Sequence, residues 1–308
     1  MGESMKYGGE NGFGCRQNPS PPRVAPLGEL IGDRNAIVIP AWKSLRQFVP
    51  GTFGQSPATS QFYVDWLNQA TTSTCVGHAV TGAIYTRMAA QGTPIKLPSP
   101  PGNYTLARAK ERKEARLTEL RAKYPSQPID MAMYRALGPL PSLVDIGTEP
   151  FWSMASLTDD GCPPFDLWGN FPVNPATINN EPTAKQLEAA SAFKMNGFYR
   201  IATTGEERMQ DVLAAVTLDR PVCMARHMGP WFNHYTGGIL GAPQEGDTLG
   251  HYIYVDGFTW DEKNARSLVL DCINSFGRDW GMDGCLLANY DFLCSAFDIY
   301  VMDVRSAA

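Results

Sequence analysis

The hydrophobic period changes part-way along this chain, and that change restricts the possible fold more than any other feature. Between Thr74 and Gln91, Val76, Ala79, Val80, Ala83, Ile84 and Met88 recur at three- and four-residue steps, the spacing of a helix face. Gly92 and Pro94 supply a stop signal. From Tyr104 to Tyr124, Glu alternates with Lys and Arg at helical spacing, which predicts a solvated helix with weak ion pairs. The interleaved glutamates argue against a nucleic-acid contact there. Pro182-Thr183 opens a short helix over 184–192. Beyond it the runs become short and β-like, at 197–201, 221–225, 252–258 and 267–273, with one amphipathic helix over 205–218. Helices first and strands later predict an α+β protein of two lobes. Residues 1–60, rich in Gly, Pro, Ser and Asn, read as an extended arm with an isolated strand at 36–39.

A chain of 308 residues, 44% hydrophobic, can bury one large core or two smaller ones. Its formal charge of -5 disfavours a general nucleic-acid binder, which usually carries a basic face. No apolar run reaches the roughly 18–20 residues needed to span a bilayer. The N-terminus lacks the apolar core of a Sec signal, so synthesis in the cytosol is expected, with the final location unspecified. Cysteines stand at 15, 75, 162, 223, 272, 285 and 294. Their odd number and irregular spacing predict no disulfide scaffold, and without a C-x-x-C or H-E-x-x-H pattern no metal site is expected. Imidazole chemistry is confined to His78, His227, His234 and His251.

Cys75 stands at the head of the first predicted helix, with Ser73 or Thr74 as its cap. Unpaired N–H groups and the positive end of the helix dipole favour thiolate there, and thiolate is the nucleophile. By itself the stretch also suits a small buried hydrophobe, the usual fate of a free cysteine. A nucleophilic thiol needs an imidazole, and that imidazole needs an acceptor to fix its tautomer. His251 opens a predicted strand, and Asn274 follows the next one, so two successive strands can bring them together at one sheet end. His227 and His234 read as loop or rim residues, and His78 as a packed histidine. Cys162 is the only further thiol expected near a cleft.

Three blocks, in order, resemble the papain-like cysteine peptidases of the bacterial-type branch. Gln69 precedes Cys75 at a helix head, Gly250-His251 opens a hydrophobic strand, and Asn274-Ser275-Phe276-Gly277 is followed by Trp280-Gly281 and Gly284. Softer matches are Leu97-Pro98-Ser99-Pro100, Val144-Asp145-Ile146-Gly147, the turn at Gly161-Cys162-Pro163-Pro164, and Asp219-Arg220-Pro221-Val222. Val76 replaces the usual aromatic after the nucleophile, and Phe276 replaces the tryptophan that shields the His–Asn bond. His251 lies 176 residues after Cys75, against roughly 130–150 in papain-type enzymes. A charged insertion over 104–140 accounts for the excess.

The resemblance implies a papain-like two-lobe fold. A helical lobe (61–182) would carry Cys75, and a β-rich, barrel-like lobe (183–308) would carry His251 and Asn274. It further implies a thiol peptidase acting on a peptide or protein through a Cys75–His251–Asn274 triad. Gln69 and the Cys75 N–H would form the oxyanion hole, Phe276 and Trp280 would shield the triad, and no cofactor or metal would be needed. Isopeptidase or transferase chemistry by the same thiol stays open. The alternative is a structural or binding component of a larger assembly, such as a virion particle. The arm would then contact a partner protein, a role favoured here over crossing the chain's own cleft, because it carries no helix signal like that of an inhibitory propeptide.

Overall fold

The computed structural model describes residues 13–18, 23–45, 67–91, 97–168, 173 and 177–304. After the short helix α1 (Gly28–Ile31) and strand β1 (Trp42–Ser44), the first half is helical. It holds α2 (Cys75–Ala90), α3 (Pro100–Lys123), α4 (Met131–Ala136), α5 (Pro150–Asp159), α6 (Phe165–Trp168) and α7 (Ala184–Ala190). The second half holds β2 (Met195–Arg200), α8 (Gly205–Thr217), β3 (Val222–Met228), β4 (Ile239–Leu240), β5 (Leu249–Asp261), β6 (Asn264–Ile273), β7 (Cys285–Asn289), α9 (Tyr290–Cys294) and β8 (Asp298–Val304). The predicted division into helices and then strands is therefore the observed one. Gly92 and Pro94, the predicted stop of α2, lie outside the described residues, as do 1–12 and 46–60 of the expected arm.

The strands form one sheet in the order β2-β8-β3-β5-β6-β7-β4, with β1 added to β5. Among the described residues it is open and not the expected barrel. Its end strands β2 and β4 do not pair, and β4, two residues long, offers too short a ladder to close it. Alternation along β3 and β5 divides two cores across this sheet. Val222, Met224, Ile253 and Val255 face Met209, Val212, Leu213 and Val216 of α8. Cys223, Ala225, Tyr252 and Tyr254 face Val76, Ala79, Val80 and Ala83 of α2. Helix α2 lies between the sheet and α3, and so it is apolar nearly all round.

Helix α3 begins where Ser99 accepts from Gly102 N at 3.0 Å, with Pro100 in its first turn. Its first ten residues are mostly buried and its later turns solvated, as the charge pattern predicts. The arm departs from expectation. Asp33 accepts from Asn35 N and turns Arg34–Ala36 into a single 3-10 turn, so no strand forms at 36–39. The arm's strand is β1, which pairs antiparallel with β5 at Lys43↔Phe258. Leu27 and Leu45 then join the core beneath α8.

Candidate active site

Cys75 is the first residue of α2 and is fully buried. Thr74 occupies the N-cap position but does not cap: its hydroxyl pairs with that of Thr72 at 2.7 Å. The backbone N–H groups of Tyr252, Gly14 and Val76 are directed at the sulfur instead. They act against burial, which dominates and pushes the thiol up to about 12.

His251 lies on β5, one residue before Tyr252. Its Nε2 is 2.6 Å from Asn274 Oδ1, so these two predicted partners do meet at the sheet end. Nδ1 is buried and has no hydrogen-bond partner among the described residues, and no bond joins it to Cys75. Burial lowers the ring to about 4 against the smaller upward pull of Asn274. Thiol and imidazole are therefore both neutral at neutral pH in this state.

Aromatic rings enclose the imidazole. Phe276 lies 5.1 Å from it, Phe232 5.3 Å and Phe13 5.2 Å, the last edge-on. Phe276, expected to shield the ring, is thus placed beside it. Trp280 acts one layer back, 5.6 Å from Phe276 and 4.8 Å from Phe232, with its Nε1 donating to Phe232 O at 2.8 Å. The loop carrying Phe232 is anchored by the buried Arg226–Asp247 pair, while Asp247 also accepts from Trp231 Nε1 at 2.7 Å.

Gln69 is held from both sides of its amide. Oε1 accepts from Ser275 Oγ at 2.5 Å, and Nε2 donates to Thr72 O at 2.5 Å. Of the two amide hydrogens, one remains for another acceptor. Asp145 takes Ser73 N at 3.0 Å and Tyr104 Oη at 2.6 Å, fixing the turn that leads into α2.

Of the other histidines, His78 and His234 fall where the sequence puts them, whereas His227 is not in the expected loop but on β3, which runs on to Met228 and pairs His227 with Gly250. His78 is packed, with Nδ1 3.0 Å from Thr74 O, and burial lowers it to about 4. His227 rests half-buried on Phe297, and His234 is exposed. Cys162 does not line the cleft as expected; it is buried at the start of α3, where its thiol donates to Ser99 O at 3.3 Å.

The thiol in the cleft is Cys15, and the sequence gives no motif for the segment around it. Residues 13–16 run between the lobes. Cys15 N donates to Gly250 O at 3.0 Å, Thr148 N to Gly14 O at 2.8 Å, and Arg16 N to Thr148 O at 3.0 Å. Cys15 and Thr148 thereby form a parallel bridge. Phe13 belongs to the core on one face of the sheet and Cys15 to the core on the other. The fit requires glycine at two places. A Cβ on Gly14 would lie 1.6 Å from Ser73 O, and one on Gly250 would lie 1.9 Å from Cys15 O.

The model for the papain family cysteine proteases matches residues 156–295, a span that contains His251 and Asn274 and begins after Cys75. The fold is similar to that of xylellain, a cysteine protease from Xylella fastidiosa (16% identity, 99% of each chain, TM-score 0.64). It is also similar to proCathepsin B S9 from Trypanosoma congolense (12% identity, 96% of this chain and 87% of that one, TM-score 0.63). Digestive procathepsin L 3 of the Tenebrio molitor larval midgut is a third (14% identity, 97% and 77%, TM-score 0.58). The chain has the papain-like fold, and the family match covers its residues 156–295. No curated protein matches it.

Proposed function

We propose that the chain hydrolyses peptide bonds with Cys75 as nucleophile, His251 as acid and base and Asn274 as its orienter, and that residues 13–16 hold it latent. The observation that carries this reading is the His251–Asn274 hydrogen bond. It occupies Nε2 and leaves Nδ1 as the one ring nitrogen able to exchange a proton with a thiol. Tyr252 N, beside His251 in the chain, is directed at Cys75 sulfur, so thiol and ring belong to one cleft.

In the working enzyme the Cys75 proton passes to His251 Nδ1 and the thiolate attacks the scissile carbonyl carbon. The developing oxyanion is stabilised by Cys75 N–H and the remaining amide hydrogen of Gln69, an arrangement commonly worth about 3–4 kcal/mol per donor. His251 gives its proton to the leaving amine. It then takes one from water, which releases the acid and regenerates the thiol. Ser275 keeps the Gln69 amide oriented throughout.

The arm itself is not a substrate in its present position. It offers the sulfur an N–H, that of Gly14, and in a trans peptide the Phe13 carbonyl points the opposite way. The Gly14 carbonyl is engaged by Thr148 N. Two of the similar structures, procathepsin L 3 and proCathepsin B S9, are proforms, in keeping with a covered cleft. No observation favours the assembly alternative, since the described parts of the arm pack on the chain's own lobes.

Hydrolysis of a fluorogenic peptide by the Gly14→Ala chain, whose arm cannot lie beside Ser73, with and without Cys75→Ser or His251→Ala, tests the reading. Each substitution is expected to lower kcat by about 1000-fold or more. Activity that survives Cys75→Ser would refute it.

A further inference from the structure

The peptidase reading leaves the substrate unspecified, and an ion pair at the cleft edge bears on it. Arg16 Nη2 lies 2.5 Å from both carboxylate oxygens of Glu111, on the third turn of α3. Thr148 Oγ1 donates to Glu111 Oε2 at 3.4 Å, so the carboxylate is tied to the residue whose backbone groups both bind the arm. Resting on that reading, we propose that Glu111 is a specificity-determining carboxylate that receives a basic side chain, arginine above all, of a peptide lying along Thr148. Arg16 is its placeholder in the latent chain.

Two carboxylates beside the groove, Glu111 and Glu149, favour a cation there. The two cations nearest on α3 are already committed. Arg108 donates to Asn179 Oδ1 at 3.2 Å and stacks 4.9 Å from the Tyr104 ring centroid, and Arg112 pairs with Glu181 at 2.6 Å. With Arg16 gone, Glu111 keeps its negative charge at the groove, opposed only in part by Arg108, whose guanidinium is bound elsewhere. Glu149, the next residue after Thr148, adds a second carboxylate, now contacted by Asn18 Nδ2 at 2.8 Å. Burial raises the Glu111 carboxyl and Arg16 acts against it, so an incoming cation recovers an interaction the site is short of. A cavity of about 250 Å3 opens beside the pair, lined by Leu143, Val144 and Ile146 together with the engaged Arg108 and Arg112. Val144 and Ile146 are 58% and 62% exposed, an apolar rest for an arginine stem. His251 must face the leaving amine, and Phe13, not Arg16, packs against it. The Glu111 site therefore serves the acyl side of the scissile bond.

The test uses the full chain carrying Gly14→Ala, whose added Cβ displaces the arm from Ser73, together with Arg16→Ala, which empties the Glu111 site. Fluorogenic peptides with Arg, Lys, Gln or Glu at successive acyl-side positions are compared by kcat/KM. One position is expected to prefer Arg over Gln by about tenfold or more, the scale of one charge-assisted bond, mainly through KM. Adding Glu111→Gln should bring that ratio near one, and Glu111→Arg should reverse it toward the Glu peptide. A ratio unchanged by both substitutions, or no basic preference at any position, would overturn the proposal. If no peptide is cleaved, the catalytic reading fails separately, and binding of a labelled Arg peptide to the Cys75→Ser, Gly14→Ala, Arg16→Ala chain decides this one. Binding weakened about tenfold by Glu111→Gln supports it, and unchanged binding refutes it.

Discussion

At the scale of single residues, the cleft depends on groups that keep charge or shape in places water does not reach. Arg226 is almost fully buried, its guanidinium 3.5 Å from Asp247 and 4.1 Å over the Phe292 ring. Burial lowers it to about 10, with Asp247 acting against the fall. Asp247→Ala leaves that charge without a partner, and a loss of about 3–5 kcal/mol in urea unfolding is expected. Because Asp247 also holds Trp231, the variant should loosen Phe232 beside His251 as well. The triad candidates were legible in the sequence for a local reason. Cys75, His251 and Asn274 each sit at the end or start of an element whose period is readable, next to glycines and small residues in a fixed order. Phe232 was not, since an aromatic in a loop carries no sign of the ring it will face. Glu111 was equally hidden, being one acid among several on a helix whose charge pattern suggests only a solvated face.

At the scale of elements, α2 and α3 position the nucleophile and the arm covers it. Ser99 caps α3 with a 3.0 Å bond to Gly102 N, and Ser99→Ala is expected to cost about 1 kcal/mol by thermal or urea unfolding. Burial of Cys75 and His251, in which Phe13 of the arm takes part with Phe232 and Phe276, creates a pH dependence. His251 falls from 6.5 to about 4 under burial, roughly 3 kcal/mol in favour of the neutral ring. Its folded value is depressed, so the covered state is fully favoured above about 6.5 and loses stability as pH falls from there toward 4. Cys75 goes the other way, from 9.0 to about 12, so covering weakens again as pH rises above about 9. The covered form should be tightest between these limits. Alkylation of Cys75 in the full chain is expected to quicken as pH drops from 7 to 5; a rate that only falls with acid would contradict this. The arm's composition suggested an extended segment, which it partly is, but composition does not say what an extended segment will lie against. Its placement depends on Gly14, which no motif marks, and on Gly250, which belongs to the Gly-His block without any sign of what will approach it.

At the scale of the whole molecule, one sheet joins the two halves, with α8 on one face and α2 on the other. The segregation of periods indicated both lobes. It could not show that the sheet stays open, because closure depends on the short β4 and on which strands end the ladder. Nor could it show that the arm would thread between the lobes, contributing Phe13 to one core and Cys15 to the other. The central claim is that Cys75 is a nucleophile masked by residues 13–16. It is tested most directly by mapping the cysteine modified by an epoxysuccinyl peptide in the full chain and in Gly14→Ala, whose added Cβ cannot fit beside Ser73 O. The account predicts modification at Cys75 alone, at least about tenfold faster in Gly14→Ala than in the unaltered chain. Equal rates in the two chains, or modification spread over several cysteines, would contradict it.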